Sequence, residues 1–240
     1  LDPDRERLLE YDLSRAISRV AVGDRPAVGV MSPFPLAGRQ VPPMLAQMGQ
    51  RGNDPWVLYS ELKRDYTVKN VEMNADSIPD DINVLVVIHP REIGDAAQYA
   101  IDQFVLRGGK LIAFLDPSAV LDRPPMGGVP ASGGSNLEKL LKAWGVKFDS
   151  NQVVADMKYL ARTGRGHAPG VLALNDEALS GDDIVTADAT NLFMVFPGAF
   201  SGTPAEGLKE TVLIKSSKSA QLVSPMTAQK ATAESRAAPA

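Results

Sequence analysis

Residues 83–117 read NVLVVIHPREIGDAAQYAIDQFVLRGGKLIAFLDP, and this stretch predicts the fold class. Asn83–Ile88 and Lys110–Leu115 are continuous apolar runs rich in β-branched residues and leucine, which is typical of strands covered on both faces in a parallel sheet. Between them, apolar residues recur at helical spacing, and Gly108-Gly109 follows as a helix stop signal. Strand, crossover helix and strand form a βαβ unit, so we expect an α/β domain with a right-handed crossover.

The flanking sequence predicts further elements of the same kind. Ala27–Met31 is a short apolar run that predicts a buried strand, and Tyr66–Met73 predicts a second one. A short helix over 55–64 separates them, with Trp56, Tyr59 and Leu62 on one face. An earlier helix carries its apolar residues in a single stripe, which consists of Leu9, Leu13, Ala16, Ile17 and Val20.

Ser135 and Glu138 match the spacing of a capping box and predict the start of another helix, which Gly145 ends. Beyond residue 160 the patterning weakens, and strand candidates remain at 183–187, 191–196 and 211–215.

We therefore expect three regions along the chain. An α/β parallel-sheet core spans 1–160, an irregular β-rich extension of the same domain spans 161–222, and a flexible linker-like tail spans 223–240. The small, polar residues of the tail favour this interpretation, and both ends of the chain look cut from a longer protein.

Composition excludes several classes of function. The 240 residues carry a net charge of -4, which argues against a nucleic-acid partner and against a polybasic membrane-binding patch. No run approaches the ~18–20 apolar residues needed to cross a bilayer. The chain has no cysteine, so disulfides, thiolate zinc sites and cysteine nucleophiles are excluded.

We expect no metal site and no cofactor. The acidic pairs Asp80-Asp81 and Asp182-Asp183 lack the spacing of a calcium loop, and the glycine pairs match no phosphate-binding pattern.

A ligand crevice is predicted at the carboxyl ends of the strands. With the strand order 2-1-3-4, the loops after Met31 and Ile88 would line it, because open parallel sheets bind ligands where the strand order reverses. The side chains that could project into this crevice are Ser32, Arg39, His89, Arg91 and Glu92. The simpler alternative is that the prolines in these loops end the strands and that the charges are solvated.

A serine hydrolase is a second hypothesis. Ser118 follows the fourth strand, where several α/β hydrolases carry their nucleophile, and His89 or His167 could activate it with Asp95 or Asp116 as the orienting acid. The flanking glycines of a nucleophile elbow are missing, however, and the preceding proline removes a backbone donor. We therefore expect no catalytic residues.

Particular strings along the chain carry a further signal. They are Val28–Pro33, Val84–Pro90, Tyr99–Gly109, Leu115–Pro117 and Leu140–Val146, and the likeness also covers Leu9–Leu13 and Phe196–Ala199. The most specific string is IDQFVLRGG at 101–109. Together they resemble the soluble domain of the gliding-motility-type auxiliary component of ABC transporters.

The resemblance implies a fold like that of the flavodoxin-like and class I glutamine-amidotransferase-like group, with helices on both faces of the sheet. It implies a periplasmic domain of an inner-membrane protein, tethered by membrane helices outside this chain, whose partners are the permease and ATPase subunits of a transporter. An amidotransferase would need a cysteine, and the chain has none. The expected function is thus a non-catalytic auxiliary domain that binds a partner protein or cargo, with the Ser118 hydrolase and a small-ligand-binding module as alternatives.

Overall fold

The computed structural model describes residues 9–21, 25–39, 44, 52–122, 133–163 and 166–228, except for the side chains at 18, 19, 162, 163 and 166–168. Two compact units are present. The first consists of residues up to 88 together with 100–113, and the second consists of 89–99 together with the residues from 114 onward.

The α-helices of the described chain include α1 (Leu9–Ala21), α2 (Val57–Asp65), α3 (Asp95–Leu106) and α4 (Glu138–Ala143). Residues 225–228 are also helical, and short 3-10 turns cover Val120–Asp122 and Asp176–Ala178. The chain passes from the second unit to the first within α3. The predicted stripe of α3 is buried at Ala97, Ala100, Ile101 and Phe104.

The central feature is a parallel four-stranded sheet in the order β2-β1-β3-β4, which is the order that the sequence predicts. Its strands are β1 (Ala27–Met31), β2 (Thr67–Asn70), β3 (Ile82–Ile88) and β4 (Lys110–Phe114). Strand β1 pairs in parallel with β2, for example Val30 with Asn70, and with β3, for example Met31 with Val87. This order is also the beginning of the flavodoxin-like order.

The core of the first unit forms where α2 meets the sheet. Tyr59 of α2 is buried together with Val28, Val30, Leu36 and Val86, and the partly buried Trp56 and Leu62 pack against them. The predicted shared face of α2 is therefore confirmed.

Strand β4 differs from its prediction as a buried strand. It lies at one edge of the sheet, and its residues alternate between exposed and half-buried. Ile112 is 48% exposed and Phe114 is 53% exposed. The prediction was wrong because a continuous apolar run does not distinguish an edge strand from a central one.

A glycine explains how α3 turns into β4. Gly109 lies directly against the ring of Phe104, where a Cβ atom would approach the ring carbons to 2.4 Å. Any larger residue would push Phe104 out of its buried position, so the glycine pair of the predicted stop signal has a steric role.

Helix α1 forms as predicted, but its apolar stripe is exposed. Leu9, Leu13 and Ile17 are each about 60% exposed. The helix is attached through Arg15, which forms ion pairs with Asp65 and Glu61 of α2.

Antiparallel sheets form the C-terminal part of the fold, which is therefore α/β with a β-rich region. The largest has three strands in the order β7-β8-β9, and two small sheets pair β5 with β10 and β6 with β11. These strands are β5 (Val146–Phe148), β6 (Val153–Asp156), β7 (Leu160–Thr163), β8 (Gly166–Asn175), β9 (Asn191–Val195), β10 (Phe200–Gly202) and β11 (Ala220–Val223).

The strand predictions in this region had mixed success. The strand at 191–196 is confirmed as β9. The prediction for 183–187 was wrong, because these residues form turns in which Ile184 is 94% exposed. At 211–215 only an isolated bridge from Ile214 to Leu179 is present in the described chain. Strand β8 was missed because glycine and proline interrupt its pattern.

The expected boundaries at residues 160 and 222 stay a prediction. Within the expected tail, Val223 ends β11 and Ala228 is buried against Val153 and Phe196. The remainder of that tail, from 229, lies outside the described residues.

Candidate functional site

The predicted crevice residues fall into both units. Ser32 and Arg39 belong to the first unit, whereas His89, Arg91 and Glu92 belong to the second. It therefore stays a prediction that these five residues line one crevice.

In the second unit, the loop after β3 has an unusual backbone. His89 has a φ angle of 49° and Glu92 has a φ angle of 56°, both in the left-handed region that non-glycine residues rarely adopt. Backbone hydrogen bonds hold this loop, since the N–H of His89 donates to the carbonyl of Phe114 at 2.9 Å and the carbonyl of Pro90 accepts from the N–H of Asn136 at 2.6 Å. The side chain of His89 is thereby fixed inside the unit, and the residue is only 2% exposed.

Ser135 joins this loop to the loop after β4. Its hydroxyl oxygen accepts the backbone N–H of Asp116 at 2.8 Å and lies 2.9 Å from Nδ1 of His89. Its own N–H donates to the carbonyl of Asp116 at 2.8 Å. We name the group of His89, Asp116 and Ser135 the serine lock.

Both ring nitrogens of His89 have a polar neighbour. Nδ1 lies beside the Ser135 hydroxyl, which also accepts the N–H of Asp116. Nε2 lies 3.7 Å from Oδ2 of Asp122.

The predicted capping box was wrong, because Ser135 takes part in the serine lock instead. Helix α4 begins at Glu138 after an N-cap at Leu137, and the Ser135 hydroxyl does not cap it. Instead, the side-chain oxygen of Asn136 accepts the N–H of Glu138 at 2.9 Å. The box was predicted from spacing alone, but contacts with Asp116 and His89, both distant in sequence, determine where Ser135 lies.

Asp122 is a second point of contact in this cluster. It accepts a hydrogen bond from Arg91 and faces His89, so one carboxylate lies between two groups from the loop after β3. Arg91 is therefore not a freely solvated charge, while the side chain of Glu92 forms no hydrogen bond or ion pair with the described part of the chain.

Asp116 belongs to the serine lock through its backbone, and its carboxyl group is partly buried. Burial raises the pKa of its carboxyl group above the ordinary value, while the N–H of Ser118 and the nearby His89 act in the opposite direction. The Ser118 N–H donates to the Asp116 carboxylate at 2.7 Å.

Of the predicted hydrolase residues, Asp116 lies near His89, but the predicted nucleophile Ser118 is not hydrogen-bonded to His89. Nδ1 of His89 is bonded to Ser135 rather than to Ser118, whose hydroxyl forms no hydrogen bond among the described residues. Asp95 forms an ion pair with Lys139. The side chain of His167 lies outside the described residues, although its backbone pairs with Arg162 in the β7-β8 ladder.

In the first unit, Ser32 lies at the carboxyl end of β1 and lines a cavity of about 170 Å³. Its hydroxyl accepts the N–H of Phe34 at 3.2 Å. Arg39 does not line this cavity; its backbone forms a two-bond bridge with Asn53.

The described residues contain no group of histidine, aspartate and glutamate side chains that could hold a metal ion. They also contain no helix with the length and apolar character needed to span a membrane.

Comparison with known proteins gives the family. A family model for an auxiliary component described as an ABC-type uncharacterized transport system matches residues 25–239. The chain belongs to this family. Curated proteins and solved structures yield no significant match to it. The resemblance to ABC transporter auxiliary components is thus confirmed, whereas the gliding-motility subtype stays a prediction.

The match covers both units of this transport-system protein but excludes α1, which ends at Ala21. Sequence reasoning missed Ser135 and Asp122 as members of the cluster around His89. A serine inside a glycine-rich stretch gave no signal beyond its helix-cap spacing, and Asp122 lies in a segment without periodicity.

Proposed function

We propose that this auxiliary component of an ABC transport system is a non-catalytic, extracytoplasmic domain that binds a partner protein or cargo. Family membership supports the transport context. The observation that carries the non-catalytic part is the serine lock, in which His89 and Ser135 are 2% and 1% exposed and are bonded to each other and to the backbone. Groups that acyl transfer would need to expose to a substrate are used here to hold loops together.

The proposed partners are the permease and ATPase subunits, and the first test uses the complete protein in its native membranes. Cross-linking followed by purification is expected to recover transporter subunits together with this chain. Recovery of the chain without any transporter subunit would contradict the proposal.

The extracytoplasmic location has a separate test that exploits the absence of cysteine. A single cysteine introduced at the exposed position Lys209 would be the only thiol of this chain. We expect a membrane-impermeant maleimide to label it in intact cells. Labelling only after the cytoplasmic membrane is permeabilised would place the domain on the other side.

The non-catalytic proposal is tested with a panel of esterase, amidase and glycosidase substrates. We expect no turnover by the wild type. Turnover that is abolished by Ser118→Ala, in a variant that remains folded, would replace the proposal with the hydrolase hypothesis.

A further inference from the structure

The cavity in the first unit opens at the carboxyl ends of two adjacent parallel strands. Its walls come from the β1 terminus and the following loop, between Val30 and Ala37, and from Asn70–Met73 after β2. Ligands of open parallel sheets bind beyond the carboxyl ends of the strands, so the cavity lies on the side of the sheet where binding is expected.

The wall that follows β1 is held in place before any ligand binds. Leu36 is buried in the core, and its carbonyl accepts the N–H of Trp56 at 2.9 Å. The rings of Phe34 and Trp56 stack with their centroids 5.5 Å apart. Because these contacts fix the loop, a ligand would not have to offset the entropy of ordering it.

The opposite wall is also fixed by hydrogen bonds. The N–H of Val71 donates to the carbonyl of Val30 at 2.9 Å, which extends the β1-β2 pairing past the end of β2. The side-chain oxygen of Asn70 accepts the hydroxyl of Tyr59 at 3.4 Å.

The charge of the lining selects for a cation. Glu72 is the one charged residue that lines the cavity within the described chain, and no lysine, arginine or histidine lines it. Ser32 and Asn70 are polar, and the remaining lining residues are apolar. A carboxylate on the wall of a cavity that no cationic residue lines favours a positively charged ligand.

The volume limits the size of that ligand. A cavity of about 150 Å³ can hold a benzene molecule, and the cavity beside Ser32 measures about 170 Å³. We propose that this cavity binds an organic ammonium ion whose organic part is no larger than about one six-membered ring, with Glu72 pairing with the ammonium group. This is a function beyond partner binding, and it does not depend on association with a transporter.

The ligand test is a titration of the isolated protein followed by the NMR chemical shifts of its backbone amides. Cyclohexylammonium is the probe, and cyclohexanol and cyclohexanecarboxylate are its size-matched neutral and anionic controls. We expect saturable shifts at Ser32, Phe34, Leu36 and Glu72 with the ammonium probe. We also expect weaker binding by cyclohexanol and the weakest by the carboxylate.

Three variants test separately how the charge and the shape of the cavity contribute to ligand binding. Glu72 is exposed, so Glu72→Gln should fold normally and weaken ammonium binding by about 1.4-fold to fivefold, the range of an exposed ion pair. Glu10→Gln removes another exposed glutamate, which does not line the cavity, and should leave binding unchanged. Ala37→Leu adds bulk at an exposed lining position and should weaken binding of the ammonium and the alcohol alike.

A lysine side chain on a peptide carries the same kind of ammonium group as a free small molecule. N-acetyl-lysine amide is therefore titrated in parallel, and tighter binding of this compound than of cyclohexylammonium would overturn the free small-molecule assignment. Equal affinities for the ammonium and carboxylate probes, or shifts that do not saturate, would overturn the site. Neither result affects the proposed transporter association, which is tested by cross-linking in membranes.

Discussion

The hydroxyl oxygen of Ser135 lies 2.9 Å from Nδ1 of His89, although the two residues are 46 positions apart in the chain. The same oxygen accepts the backbone N–H of Asp116. One buried hydroxyl thus connects the loops after β3 and β4 to the segment that precedes α4. In a parallel sheet these loops lie where ligands usually bind, and here their polar groups serve to hold one another.

Removing that hydroxyl should destabilise the protein. Ser135→Ala deprives the Asp116 N–H and the His89 imidazole of their partner, and each unsatisfied buried group costs about 1–3 kcal/mol. We expect the free energy of unfolding, measured by urea denaturation, to fall by about 2–6 kcal/mol.

Ser118→Ala is the matched control for this experiment. The Ser118 hydroxyl forms no hydrogen bond among the described residues, so its loss should change the free energy of unfolding by at most about 0.5 kcal/mol. Equal effects of the two substitutions would contradict the serine lock.

Asp116 should make the protein less stable as the pH rises. Burial raises its folded-state pKa above the ordinary 3.8, so its stabilising contribution is complete below pH 3.8 and is lost as the pH rises through the raised value. Asp116→Asn cannot ionise and keeps an oxygen for the Ser118 N–H. Urea denaturation between pH 3 and 7 should show a variant that gains stability over the wild type as the pH rises, and a gap that is constant with pH would contradict the buried ionisation.

Asp156 should have the opposite pH dependence. Burial alone would raise its pKa, but hydrogen bonds from the Ser217 hydroxyl and N–H and from the Lys158 N–H outweigh burial and lower it. Its stabilising contribution is therefore present above pH 3.8 and is lost as the pH falls through the lowered value. Asp156→Asn should cost about 1–3 kcal/mol at pH 7, because its amide nitrogen cannot accept from Ser217.

Urea denaturation at different pH values also tests the predicted contribution of Asp156 to stability. The difference between the wild type and Asp156→Asn should narrow as the pH falls below 3.8, because the carboxyl group takes up its proton in the unfolded chain before it does in the folded protein. A difference that widens in acid would show that Asp156 does not act as a buried hydrogen-bonded carboxylate.

Gly145 should tolerate no side chain. It has a φ angle of 78°, and a Cβ atom there would lie 2.1 Å from the carbonyl oxygen of Thr203. Left-handed backbone costs a non-glycine residue about 1–2 kcal/mol, and overpacking adds about 1–3 kcal/mol. Thermal unfolding of Gly145→Ala should therefore show a loss of about 2–5 kcal/mol.

Substitutions at two other glycines separate the cost of left-handed backbone from the cost of overpacking. Gly207 has a φ angle of 84° but open space around it, so Gly207→Ala should cost only the backbone term of about 1–2 kcal/mol. Gly181 has neither restriction, and Gly181→Ala should have an effect within about 0.5 kcal/mol. A Gly145→Ala variant no less stable than Gly207→Ala would refute the steric argument.

The parallel sheet could be predicted from sequence because its strands are marked locally. Ala27–Met31 and Val84–Ile88 are uninterrupted apolar runs, and a helix or loop separates each strand from the next. The exposed edge position of β4 has no such local mark. In the C-terminal region, the apolar residues Ile184 and Val185 favour a strand in sequence but lie exposed in turns. Conversely, Gly166–Asn175 forms a ten-residue strand despite its glycine and proline residues.

The candidate sites were only partly predictable for a related reason. His89 and Ser32 could be selected because each follows a buried strand. The serine lock could not, since the partners of Ser135 lie 19 and 46 positions away and are brought to it by the fold. The Glu72 cavity was missed because its carboxylate follows a strand whose end was predicted three residues too late, at Met73 rather than Asn70.

The order in which the elements form follows from the β7-β8-β9 sheet. Its strands are consecutive in the chain and pair antiparallel, so each contact closes only a modest loop. The pairing of β1 with β3 joins residues far apart in the chain and requires the intervening helix and strand to be accommodated first. Because non-local pairing slows folding, the antiparallel meander should acquire amide protection earlier than the parallel sheet, and newly made chains should therefore expose the Glu72 cavity region to proteases for longer.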